Sequence, residues 1–158
     1  MANVRFEVRY QFEADSRAVW DELVDWRGHG DWVPATRVEV GEGDPTDVGA
    51  TFTAFTGYGP LTLEDRMRVT RCDWDDQAAQ GTCDVDKLGP VLTGRAGFTV
   101  EPHGEQTRVV WVEEVVVPYV PEFLSGIVGT AGAAGFRAAM RRLAALLARD
   151  RRRAAADE

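Results

Sequence analysis

Hydrophobic and polar positions alternate without a break near the N-terminus, where Val4, Phe6, Val8, Tyr10 and Phe12 are separated by Arg5, Glu7, Arg9 and Gln11. A period of two predicts a strand with one dry and one wet face, as in antiparallel sheets. The period then changes. In SRAVWDELVDW the apolar residues Val19, Trp20, Leu23 and Val24 recur at helical spacing, behind Asp15 or Ser16 as an N-cap. RGHGDWVP breaks that helix and supplies a turn or a second short one. From residue 36 strand patterns return in TRVEVG, GATFTAFT, LTLEDRMRVTRC, AAQGTCDVD, VLTGRAGFTVE and TRVVWVEEVVV, separated by short polar or glycine-rich segments. The pattern predicts seven strands, two short helices after the first, and a long last helix running to about Arg149. Strands joined by such short turns predict a curved antiparallel sheet, and only the closing helix is long enough to cover its apolar face.

That helix carries its own irregularity. Phe136, Met140, Leu143 and Leu147 form a stripe that must face the sheet. Continued toward the N-terminus, the stripe passes through Gly132 and Gly129 and reaches Gly126 and Ser125. With Gly135, these glycines forfeit roughly 4 kcal/mol of helix propensity. A bare face over a concave sheet means either that the sheet approaches closely or that something other than protein fills the space. A curved sheet favours the second, so Gly129 and Gly132 are expected to face a cavity. A rival apolar stripe, Phe123, Ile127, Ala131 and Ala134, would instead turn the glycines to solvent.

With 158 residues, 44% of them apolar, the chain suits one domain, residues 1–150, followed by a charged tail, residues 151–158. It contains no run of ~18 apolar residues and no basic patch leading into an apolar signal core, so the expectation is a cytoplasmic protein without stable membrane insertion. A formal charge of -8 argues against nucleic acid as a partner, since phosphate binding rests on lysine and arginine. The exception is Arg149 with Arg151, Arg152 and Arg153, expected to be solvated beside the negative end of the helix. Cys72 and Cys83 flank the turn DWDDQ. A turn centred on Asp75 and Asp76 would set Cys83 opposite Arg68, which predicts two separate reduced thiols.

The stretch VWDELVDWRGHGDWVP, followed by VEVGEGDPTDVGATF and a closing helix, resembles the START-like superfamily, the helix-grip or polyketide cyclase/dehydrase and lipid transport group. The likeness covers nearly the whole chain and rests on Trp20, the pair Asp25 and Trp26, the run Trp32, Val33, Pro34, and the glycines Gly43 and Gly49. It implies an α+β helix-grip fold in which the sheet wraps around the long helix. It also implies an internal cavity that takes a small lipophilic or aromatic molecule as partner. The group includes polyketide cyclases and aromatases as well as non-catalytic carriers.

In LTLEDRMRV the alternation turns Leu61, Leu63, Asp65, Met67 and Val69 to one face, so Asp65 points inward among apolar neighbours. A buried carboxylate without partners costs several kcal/mol or takes up a proton, so Asp65 is either hydrogen-bonded or functional. If Arg108 faces out, Val109, Trp111, Glu113, Val115 and Val117 face in, giving a second inward acid. Two such acids can serve as general acid and base in an aldol-type cyclisation or a dehydration. Nothing in the spacing brings them together. His29, near where the resemblance puts a cavity entrance, is a candidate gate or proton donor, whereas His103 lies in a turn. Trp26, Trp32, Phe52, Phe98, Trp111 and Phe136 are expected to divide between core and cavity wall, with Leu63, Met67 and Met140 beside them. Tyr58, in the loop TGYGPL, can close over a ligand. No zinc spacing, phosphate loop or GxSxG context occurs, so neither metal nor cofactor is expected.

Three functions follow, in order: a binder or carrier of a lipophilic molecule; a cyclase or dehydratase using Asp65 with Glu113 or His29; and an interaction module, a homodimer through the glycine face.

Overall fold

In the computed structural model, which describes residues 1–157, the alternating segments form one antiparallel sheet. Its strands are β1 (Ala2–Phe12), β2 (Thr36–Val40), β3 (Thr51–Thr56), β4 (Leu63–Asp75), β5 (Gln80–Leu88), β6 (Thr93–His103) and β7 (Gln106–Val117), in the spatial order β1-β7-β6-β5-β4-β3-β2. Short hairpin connections place β2 to β7 side by side in sequence order. β1 is the exception, an edge strand paired along its length with β7, from Ala2 opposite Val117 to Phe12 opposite Thr107. Two short helices, α1 (Ser16–Val24) and α2 (His29–Trp32), follow β1, and the long helix α3 (Ser125–Ala156) closes the chain. This is an α+β helix-grip architecture.

Asp15 is the residue that caps α1: its Oδ1 accepts from the backbone N–H of Arg17 at 2.9 Å and of Ala18 at 3.4 Å. That satisfies donors the first turn leaves free. Val19, Trp20 and Leu23 then point into a core completed by Phe12, Val69, Val100 and Val109 from the sheet and by Ala139, Met140 and Leu143 from α3.

Three expectations change. The last helix continues past Arg149 to Ala156, so the basic segment is helical, and Arg151 Nη1 donates to the backbone carbonyl of Glu13 at 2.9 Å. The two cysteines are not offset. β4 and β5 are separated by a turn centred beyond Asp76, and a register shift lies between Val69 and Arg71, so Cys72 stands directly opposite Cys83. Both are free thiols on the inner side of the sheet, Cys83 buried and Cys72 half-buried.

The third change concerns the glycines. The helix is oriented as the Phe136 stripe predicts, and the rival stripe faces water, with Phe123 83% and Ile127 68% exposed. Yet Gly129 answers a close approach of β1 rather than a void, and Gly132 borders the cavity while lying against Phe6 of β1. A Cβ on Gly129 would sit 3.2 Å from the Arg5 carbonyl oxygen, and one on Gly132 would sit 2.7 Å from the Phe6 ring. The first contact is tight against backbone and the second would require the Phe6 ring to shift, so glycine lets the edge strand lie close to the helix here. This contact also occupies the face proposed for a dimer. A Cβ on Gly126 or Gly135 would meet nothing within 4 Å.

Candidate functional site

Between the concave side of the sheet, α2 and the middle of α3 lies a cavity of about 400 Å³. Its wall is mostly aromatic and aliphatic. Trp26 stacks on Phe52 with ring centres 4.3 Å apart, and Phe98 stacks on Trp111 at 5.3 Å, with Phe136 of α3 tilted 4.8 Å from Trp111. Trp26 is fixed by its indole N–H, which donates to the Pro45 carbonyl at 2.8 Å. A depression of about 490 Å³ on the opposite side of the sheet, lined by Asp84, Asp86, Arg95 and Glu114 among others, is shallow and solvated. It holds no buried ionisable group from the inner face.

Of the residues singled out from the sequence, Trp26, Phe52, Leu63, Met67, Phe98, Trp111, Gly132 and Phe136 line the cavity, as do Asp65, Glu113 and His29. Four do not. Trp32 and Met140 are fully buried core residues, Gly129 packs on β1, and Tyr58 is 80% exposed. Tyr58 sits on an outward loop that ends in a single 3-10 turn, so its ring has no apolar surface to cover.

Asp65 and Glu113 come together through a residue the sequence reading passed over. In β5 the inward positions are Gly81, Cys83, Val85 and Lys87, every second residue and each buried. Lys87 is therefore directed into the cavity by the alternation that directs Asp65 and Glu113. Reading β5 with the same rule as β4 and β7 would have found it. Directly opposite Lys87 in β6 stands Gly94, and the next inward residue is Ala96. Without bulk there, the lysine stem can cross β6 toward β7. Its ammonium donates to Asp65 Oδ2 on one side and lies 3.7 Å from Glu113 Oε2 on the other. Glu113 Oε1 accepts from the Trp111 indole N–H at 3.2 Å. The side chains of Asp65, Lys87 and Glu113 are only 13%, 3% and 8% exposed. Asp65 Oδ1 is buried with no hydrogen-bond partner among the described residues.

The electrostatics follow from that burial. Desolvation pushes the Glu113 carboxyl above the ordinary carboxylate range, and neither the charge of Lys87 nor the Trp111 hydrogen bond cancels it. For Lys87 desolvation opposes the charge, but attraction to Glu113 and Asp65 outweighs it and the ammonium is held above its usual value. A charged lysine with two carboxylates leaves a net negative corner at one end of an apolar chamber. Such a corner can hold, accept or return a proton.

His29 has a different role from the one expected. Its Nε2 lies 2.7 Å from the Leu23 carbonyl, which can only accept, so the ring donates there. The imidazole is clasped between Trp26 and Trp32, with ring centres at 5.4 and 4.5 Å. Burial lowers its pKa to about 4, although the Leu23 hydrogen bond and Asp25 work in the other direction. At neutral pH it is an uncharged imidazole that fastens α2 to the end of α1, with its acidic N–H committed to the backbone.

Comparison with known proteins places these features in context. The family model described as polyketide cyclase / dehydrase and lipid transport matches residues 3–148. No curated protein sequence matches. Among solved structures, a hypothetical protein from Helicobacter pylori is similar with a TM-score of 0.72 and 18% identity, covering 91% of this chain and 86% of that one. A START superfamily protein from Mycobacterium smegmatis gives 0.69 at 10% identity, over 92% and 97% of the two chains. A STAR-related lipid transfer protein from Xanthomonas axonopodis gives 0.65 at 15% identity, over 88% and 82%. At these identities the structures share a fold. Among the described residues no helix is long and apolar enough to cross a membrane.

Proposed function

The chain belongs to the polyketide cyclase / dehydrase and lipid transport family, whose model spans residues 3–148, and on that premise we propose that it binds a small lipophilic or aromatic molecule in the cavity beneath α3. The observation that carries the reading is the chamber itself: about 400 Å³ bounded by Trp26, Phe52, Phe98, Trp111 and Phe136. That volume falls within the range of small-molecule sites. Empty apolar space of this size forfeits dispersion contacts that a ligand would restore. Native mass spectrometry of the protein as purified, with Nile red uptake as a second readout, tests it. A retained small molecule or a saturable rise in dye fluorescence is expected. A protein that emerges empty and takes up no dye would sink the reading.

A second reading is favoured by one observation, the meeting of Asp65, Lys87 and Glu113 at the cavity wall. There the site catalyses a cyclisation or dehydration, with Glu113 exchanging a proton with the bound substrate and Lys87 steadying developing negative charge. It predicts that Glu113→Gln keeps dye uptake and loses turnover. Binding without chemistry ranks first, because it needs only the chamber.

A further inference from the structure

Among the described residues, Asp65, Lys87 and Glu113 are the only charged side chains in the cavity wall. Two carboxylates face one ammonium, and Lys87 already donates to Asp65. The sum is one uncompensated negative charge in surroundings where charges are poorly screened. The residues that α3 contributes to the wall, Gly132, Gly135, Phe136 and Ala139, bring no charge, and the His29 that α2 contributes is neutral. Phe6 stands directly opposite Glu113 on β1, the Trp111 indole donates to it from its own strand, and Phe98 pairs with Trp111 across β6 and β7. Aromatic faces attract cations and repel anions.

Resting on the binding reading above, we infer that the molecule accepted here carries a protonated amine at its polar end, and that carboxylates of the same size are turned away. The ammonium completes a balanced set of two positive and two negative groups at the Glu113 end, while the apolar body lies among the rings. A carboxylate would bring a third negative charge beside a lysine whose own charge is already engaged. The groups that face Glu113 are Lys87 from β5, Asp65 from β4, the Trp111 indole from β7 and Phe6, directly opposite it on β1.

The experiment is competition for Nile red by decylamine, 1-decanol, decane and decanoate at neutral pH, each below its aggregation limit. Decylamine is expected to compete about tenfold or more better than decanoate, with decanol between them. Asp65→Asn and Glu113→Gln should each shrink the amine-to-carboxylate ratio by about tenfold while dye uptake persists. Decanoate equal to or better than decylamine, or a ratio unmoved in both variants, overturns the amine assignment and leaves binding intact. A protein that takes up no dye overturns binding and the assignment together. If neither variant folds, the wild-type ratio decides alone: decylamine ahead of decanoate by about tenfold or more supports the assignment, and parity overturns it.

Discussion

The ammonium of Lys87 lies 3.7 Å from Glu113 Oε2 although β6 runs between their strands. The contact exists because β6 offers Gly94 opposite Lys87 and Ala96 opposite Glu113, so no side chain stands in the way. Lys87 thereby joins two acids from β4 and β7 that are otherwise like charges sharing one dry pocket.

Removing the lysine should therefore cost more than removing an acid. Lys87→Met leaves two buried carboxylates without a cation and is expected to destabilise by about 3 kcal/mol or more at neutral pH. The loss should shrink in mildly acidic solution, where the abandoned acids take up protons. Urea unfolding at pH 7.5 and pH 5 measures both; an equal loss at the two values would mean that Lys87 contributes through packing alone.

His29 supplies a second pH signal. Its folded pKa of about 4 lies below the ordinary 6.5, so the folded state binds that proton less readily than the unfolded chain. Its contribution is complete above about pH 6.5 and is lost as pH falls toward 4, about 3 kcal/mol over the full span. Carboxylates titrate in the same range, so the informative quantity is a difference between proteins. The stability of His29→Gln should fall less steeply from pH 7 to pH 4.5 than that of wild type, and parallel curves would refute a buried neutral imidazole.

The glycines of α3 divide into two classes with opposite outcomes. Gly132→Leu drives its side chain into Phe6 and should destabilise by about 1–3 kcal/mol. Gly135 lines the cavity, yet its missing Cβ meets nothing within 4 Å. Gly135→Leu is expected to stabilise the helix by about 1 kcal/mol while reducing dye uptake by occupying part of the chamber. Thermal melts and Nile red titrations on the same samples separate the two. Undiminished uptake in Gly135→Leu would show that the dye does not reach position 135.

Cys72 and Cys83 face one another across β4 and β5. Thiol-to-thiol hydrogen bonding from Cys83 holds Cys72 below its usual pKa, whereas Cys83, the donor and the more deeply buried, is pushed up. Cys72 is therefore the group that a disulfide oxidant such as 2,2′-dipyridyl disulfide should attack first, with Cys83 completing an internal bridge. Mass spectrometry is expected to show loss of two hydrogens in the monomer and urea unfolding a gain of about 2–3 kcal/mol. Stable mixed disulfides or cross-linked dimers would show that the two sulfurs cannot meet.

Much of this architecture was legible in residue order. The alternation in β1, β4 and β7 turned Asp65 and Glu113 inward, and the stripe through Phe136, Met140 and Leu143 set the rotation of α3. What escaped was relational. Whether Gly129 bordered a void or a strand depended on where β1 lay, and β1 pairs with β7, the strand most distant from it in sequence. The facing of Cys72 and Cys83 depended on a register shift between Val69 and Arg71, which no periodicity announces. Lys87 was visible by the same alternation rule, but a lysine in a strand suggests solvent, and only the acids opposite it reverse that expectation.

The pairing of β1 also governs the order in which the molecule can be made. Its partners, β7 and α3, follow every other strand in the chain, so the first strand waits unmatched until they have been made. Closure of the grip therefore joins segments far apart in sequence. Until then Val4, Phe6, Val8 and Phe12 form a sticky edge whose keeping falls to the cell's chaperones.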